Sequence, residues 1–267
     1  MKEKIENTKE LSGLNKDVSL LVVSCDAYKD LWKPYFSSLY KYWPDCPYPV
    51  YLGANNSKYP DSRVKPILVG PDKDYSSNLI AMLKRIESPW IILWIEDLFI
   101  SKPIDSEYIS KLINTAQEKN VGYLKLATST PWVFAKNKEE LMGPIPKGVK
   151  YRSGIGLALW NKETLLNLLI PGESAWQIER NGSDRSNFFV EPFYALTPNV
   201  RSNPPITVIN SVIKGRWSLN VLKYLKREGF EDHISNRKTQ PLWSYLYGRA
   251  YLFRLELYRV MKKYWYA

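Results

Sequence analysis

The chain has 267 residues, 45% of them hydrophobic and 24% charged, with a net charge of +11. That composition indicates one large folded domain, or one domain with an extension, and excludes a disordered chain. Two cysteines, Cys25 and Cys46, exclude a disulfide framework, and the single histidine, His233, excludes a His-rich zinc site.

The charge is unevenly spread. Residues 211–267 carry 12 basic and 4 acidic side chains, a net of +8, and 12 of the 37 aromatics. The first 210 residues carry only +3. A mildly basic body therefore ends in a strongly basic, aromatic segment, suited to an anionic or interfacial partner.

In chain order, residues 1–16 mix charges of both signs without an apolar stretch and read as a tail rather than a secretory signal. Val18 to Ser24 (VSLLVVS) is a short β-branched apolar run, the pattern of a strand buried on both faces. Leu31 to Tyr42 reads as a helix, and Pro49 to Gly53 as a second strand. Val64 to Gly70 reads as a third, with Pro66 marking an edge. Ser76 to Glu87 reads as an amphipathic helix. Trp90 to Trp94 is a buried strand ending abruptly in Ile95-Glu96-Asp97.

Ile104 to Asn120 reads as a helix and Tyr123 to Ala127 as a strand. Tyr151 to Trp160 reads as a strand with two glycines, followed by a helix over Lys162 to Leu169. Leu219 to Glu228 and Leu242 to Tyr266 read as helices. Alternating strands and helices predict an α/β fold with a mostly parallel, Rossmann-like sheet flanked by helices, plus a C-terminal helical extension. The expected organisation is a tail (1–16), a catalytic domain (17–218) and a basic aromatic helical extension (219–267).

Ligands of such sheets bind outside the carboxyl ends of the strands. Asp26 and the Glu96-Asp97 pair fall there. Ionised carboxylates are costly to bury unless paired or metal-bound, and adjacent acids suit magnesium or manganese carried on a diphosphate. The competing reading is a loop cap or a lysine pair. No P-loop, GxGxxG, HExxH or GxSxG occurs.

From Val18 to about Trp217 the chain resembles GT-A-type nucleotide-sugar glycosyltransferases, especially those that build bacterial capsule, O-antigen and other surface polysaccharides. The stretches carrying the resemblance are LLVVSCDAYKDLW, YWPDCPYPVYLG, IILWIEDLFI and SGIGLALWNKETLLNLLIPGESAWQIE. The resemblance implies that Ser24, Asp26 and Tyr28 lie near the nucleoside and that Asn78 reaches the nucleotide. Glu96 and Asp97 take the place of the family's DxD motif, with Asp97 the metal ligand. Because a clear Asp-x-Asp is missing, Mn2+ or Mg2+ is one expectation. A metal-independent mechanism is the other, with Lys214 and Arg216 sharing or replacing the metal's work on the diphosphate.

The family's base position falls near residues 174–179. Glu179 is the first choice, with Glu173 and Asp184 behind it. The alternative for Glu179 is an ion pair with Arg152, Arg180 or Arg185. Trp176 offers an apolar face to a sugar ring, or else belongs to the core. Arg152, Ser153 and Gly154 let the backbone approach the donor sugar.

The expected reaction is sugar transfer to a glycan or lipid-linked glycan, inverting, with a carboxylate base. A nucleic-acid-binding protein and a sugar nucleotidyltransferase are the alternatives, and no nucleic-acid partner is expected. At helical spacing, residues 248–267 gather Phe253, Leu257, Val260, Met261, Tyr264 and Trp265 on one face and most basic residues on the other. That pattern predicts contact with an anionic membrane and a peripheral location at the inner face of the cell membrane, in the cytoplasm.

Overall fold

The computed structural model describes residues 15–127, 140–197, 199–200 and 203–263. The chain divides into two compact units, 1–208 and 209–267.

The first unit is built on an eight-stranded mixed sheet. Its strands are β1 (Val18–Val23), β2 (Val50–Ala54), β3 (Val64–Leu68), β4 (Trp90–Ile95), β6 (Tyr123–Lys125), β7 (Met142–Pro144), β8 (Ala158–Asn161) and β9 (Phe193–Leu196), and the short β5 (Leu98–Ile100) lies outside it. The order is β3-β2-β1-β4-β8-β6-β9-β7. Pairs β3–β2, β2–β1, β1–β4 and β6–β9 are parallel, and β4–β8, β8–β6 and β9–β7 antiparallel. The α/β class and the mostly parallel sheet are as the sequence predicts. Every residue of β1 is buried, which explains why its sequence does not alternate. Pro66 sits on the edge strand, where the amide it lacks is not needed.

Helices flank the sheet: α1 (Trp32–Tyr42), α2 (Tyr75–Leu83), α3 (Ser106–Glu118), α4 (Lys162–Leu168) and α5 (Ala175–Arg185). Polar side chains fix where they start. Asp74 accepts the Ser77 N–H, Asp105 that of Tyr108, and Asn161 that of Thr164. Gln177 reaches back to the Ser174 N–H, half of a capping box.

One expectation is overturned. The strand read over Tyr151 to Trp160 begins only at Ala158. The backbone donors before it do not join a ladder: the Ser153 N–H goes to Ser183 Oγ, that of Gly154 to Tyr123, and that of Ile155 to Glu179. Tyr151 itself adopts φ 57°, outside the strand region.

The second unit follows β10 (Val208–Asn210), which spans the junction. It contains the hairpin β11 (Val212–Ile213) and β12 (Arg216–Trp217), then α6 (Leu219–Arg227) and α7 (Leu242–Lys263). Lys214 and Gly215 both have positive φ, 52° and 74°, as a two-residue hairpin turn requires. Trp217 is fully buried and its indole donates to the Ile234 carbonyl. His233 packs edge-on against Phe230.

Candidate active site

The sheet order reverses at β1: β2 and β3 continue on one side and β4 lies on the other. Val23 pairs with Ile95, so Ser24–Asp26 and Glu96–Asp97 leave the sheet side by side. This is a topological switch point, where open α/β sheets form their ligand crevice.

Asp26 ties the two strand-end loops together. Its carboxylate accepts the backbone N–H groups of Asn55, Asn56 and Ser57 and the Ser57 hydroxyl, and its own N–H donates to Asn55 Oδ1. Burial works against its charge, but these donors overcome it and hold the carboxyl below the usual aspartate range. Ser24 Oγ accepts the Trp32 indole N–H at 2.7 Å. Tyr28 is half-buried in the 3-10 turn that follows. Asn78 donates to Asp72 at 2.6 Å.

Glu96 is 8% exposed. It, Asp97 and Glu179 converge electrostatically on the Tyr75 hydroxyl, which is buried without a hydrogen-bond partner among the described residues. Burial drives that hydroxyl's pKa well up, and the charges of Glu96, Glu179 and Asp97 raise it further. The Cys25 thiol is pushed up by burial, with Glu96 and Asp72 adding to the shift. Both cysteines are free thiols.

Glu179 lies on α5. Its carboxyl pKa is raised by burial, against the pull of Lys125 and the Ile155 N–H. A Cβ placed on Gly154 would meet Glu179 Oε1 at 3.4 Å and the Tyr123 hydroxyl at 3.5 Å. Gly154 therefore lies directly beside the carboxylate. Trp176, one turn earlier on the same helix, is 73% exposed, which overturns the core reading of that residue.

Two of the arginines offered as partners of Glu179, Arg152 and Arg185, are committed elsewhere, and Arg180 is exposed on α5. Arg152 is buried: it donates to the carbonyls of Ile145 and Ser186 and lies over the Phe193 ring at 4.5 Å. Arg185 grips Glu173 bidentately at 2.9 and 2.6 Å, and Asn181 donates to the same carboxylate. Arg185 holds the Glu173 carboxyl below its ordinary value. Asp184 is exposed on α5. Glu173 and Glu179, six residues apart, thus have opposite environments, one held ionised by an arginine and the other with its charge opposed by burial.

Lys214 and Arg216 are exposed on the hairpin of the second unit. Sequence reasoning missed Tyr75, Tyr123 and Lys125. Only strand register and helix packing bring them to the carboxylates, and no local motif marks them. Among the described residues, no group of three or more His, Cys, Asp or Glu side chains is placed to hold a metal ion.

No family model and no curated protein matches the chain. Solved structures of S. aureus TarS do. TarS 1-349 aligns with 13% identity and a TM-score of 0.44 over 70% of this chain and 62% of that one. TarS 1-349 in complex with UDP-GlcNAc aligns with 13% identity and a TM-score of 0.45 over 68% and 58%. The UDP complex gives 12% and 0.45 over 68% and 60%. The chain thus spans about 60% of the length of TarS 1-349.

Proposed function

We propose that the chain is a GT-A-type glycosyltransferase that moves a sugar from a nucleotide-sugar donor to a glycan or lipid-linked glycan acceptor. The observation that carries this reading is Glu179: a carboxylate beside the Gly154 backbone whose pKa burial raises, whose charge reaches the same Tyr75 hydroxyl as the switch-point acids, with an exposed tryptophan one turn away. A base that must be ionised to accept a proton, and then hold it, benefits from such an upward shift. Glu179 takes the proton of the acceptor hydroxyl. That oxygen forms a bond to C1 of the donor sugar, and the C1–O bond to the diphosphate breaks, its electron pair leaving with the nucleotide. A single displacement of this kind inverts C1. Trp176 gives the acceptor ring an apolar surface.

On the donor side, Ser24, Asp26, Tyr28 and Asn78 shape the nucleoside end, and the Gly154 backbone lets the donor sugar approach Glu179. Glu96 and Asp97 face the diphosphate. Lys125 answers Glu179, but three carboxylates repel an anion, so the diphosphate needs countercharge. Oxygen ligands of this kind suit Mn2+ or Mg2+, with Asp97 the closest match to the family's ligand.

The exposed apolar and aromatic side chains of α7, with Arg249 and Arg254, support contact with an anionic membrane and thus a lipid-linked acceptor of surface-polysaccharide synthesis. A panel of nucleotide sugars, followed by release of nucleoside diphosphate with and without Mn2+, tests the reading. Release with at least one donor is expected, and neither binding nor release across the panel overturns it.

A further inference from the structure

Beside the loops that follow β1 and β2 lies a cavity of about 630 Å³ lined by Lys29, Trp32, Lys33, Ser57, Lys58 and Tyr59, with Pro60 at its margin. None of Glu96, Asp97 and Glu179 borders it, and no acidic side chain lines it. The three lysines have no ion-pair partner among the described residues. Asp26, bonded to Ser57, has its oxygens taken up by the N–H groups of Asn55, Asn56 and Ser57. Three like charges converging on one concavity repel each other, and a cleft of one sign concentrates counter-ions.

The walls are fixed. Trp32 is 3% exposed and anchored through its indole to Ser24, and Tyr59 stacks on Phe36 with centroids 4.6 Å apart. Asp26 holds the turn that carries Ser57 and Lys58. Lys29, in the 3-10 turn, and Lys33, in the first turn of α1, both line the cavity. Binding an anion here orders only the lysine side chains, not the backbone.

We infer that this cavity is a binding site for a phosphoryl group carried on a sugar or nucleoside body. Three compact ammonium groups supply the charge that phosphate requires, and Tyr59, held by its stack on Phe36, supplies an apolar flank for the body that bears it. The inference does not rest on the glycosyltransferase reading, since the cavity shares no carboxylate with that site.

Residue-resolved acetylation of the full chain tests it, with inorganic pyrophosphate as the probe and sulfate at equal ionic strength as the control. Lys29, Lys33 and Lys58 should acetylate several-fold more slowly with pyrophosphate, while Lys41 and Lys111 keep their rates. Unprotected cavity lysines overturn the site, and equal protection by sulfate overturns its assignment to phosphoryl groups. The variant K29Q/K33Q/K58Q should retain its unfolding temperature and bind pyrophosphate at least tenfold more weakly in titration calorimetry. Undiminished affinity also overturns the site. A failed nucleotide-sugar panel leaves all of these readouts standing.

Discussion

Glu179 and Glu173 carry the same functional group on or next to one helix, yet their surroundings shift it in opposite directions. Glu173 spends its charge on Arg185 and Asn181, whereas Glu179 is half-buried with its pKa raised. Glu179→Gln should lower kcat by about 10²- to 10⁴-fold, the usual contribution of a positioned base. Donor binding should remain, and steady-state kinetics beside donor calorimetry check both. Because burial raises the Glu179 pKa, the acid limb of kcat/KM in the wild type should fall at a pH above the ordinary glutamate value of about 4.3. A limb at or below that value removes the assignment. Trp176→Ala should raise the acceptor KM with little effect on kcat, since an exposed platform binds ground and transition states alike.

At the scale of elements, two carboxylates act as ties, one between two strand-end loops and one between the two ends of a helix. Asp26 joins the end of β1 to the turn after β2. Asp26→Ala should cost about 1–3 kcal/mol, because it strands several backbone donors, and denaturant unfolding checks this. Glu173 joins the entry of α5 to its last turn through Arg185. Its folded pKa lies below the unfolded value, so its stabilisation is full above about pH 4.3 and is lost as pH falls through the folded pKa. Glu173→Gln should therefore cost about 2–3 kcal/mol at neutral pH, with the gap to wild type closing in acid. A gap that is constant with pH would assign the loss to packing instead. The segment 151–157 illustrates the opposite case: its sequence favours a strand, but Ser183, Tyr123 and Glu179 capture its N–H groups.

For the whole molecule, the exposed face of α7 bears on where it works. Among the described residues no helix is long and apolar enough to cross a membrane. On α7, Leu242, Trp243, Leu246, Tyr247, Tyr251 and Phe253 are exposed. The exposed aromatics thus begin at Trp243, ahead of the face expected from 248 onward, while Tyr264 and Trp265 lie outside the described residues, as does most of the tail 1–16. The full chain should float with vesicles containing phosphatidylglycerol and not with purely zwitterionic ones. Trp243→Ser with Tyr247→Ser and Phe253→Ser should abolish flotation while donor turnover in solution persists. Flotation unaffected by the triple change would assign this face to another partner.

By itself the sequence determined the fold class and most of the sheet's buried strands, because continuous apolar runs such as VSLLVV and WIILWI have few other ways to be buried. It also placed Asp26, Glu96 and Asp97 at strand ends, since strand ends are local features. It could not determine which charges meet. Tyr75, Tyr123 and Lys125 come to Glu179 through register and helix packing between segments about 50 to 100 residues apart in sequence, and Arg152 and Arg185 are drawn away by carbonyls and a carboxylate that only the folded chain brings near. Tertiary structure decided which carboxylate is held ionised by an arginine and which has its pKa raised by burial, because a carboxylate's protonation energy is set by neighbours that local sequence does not specify.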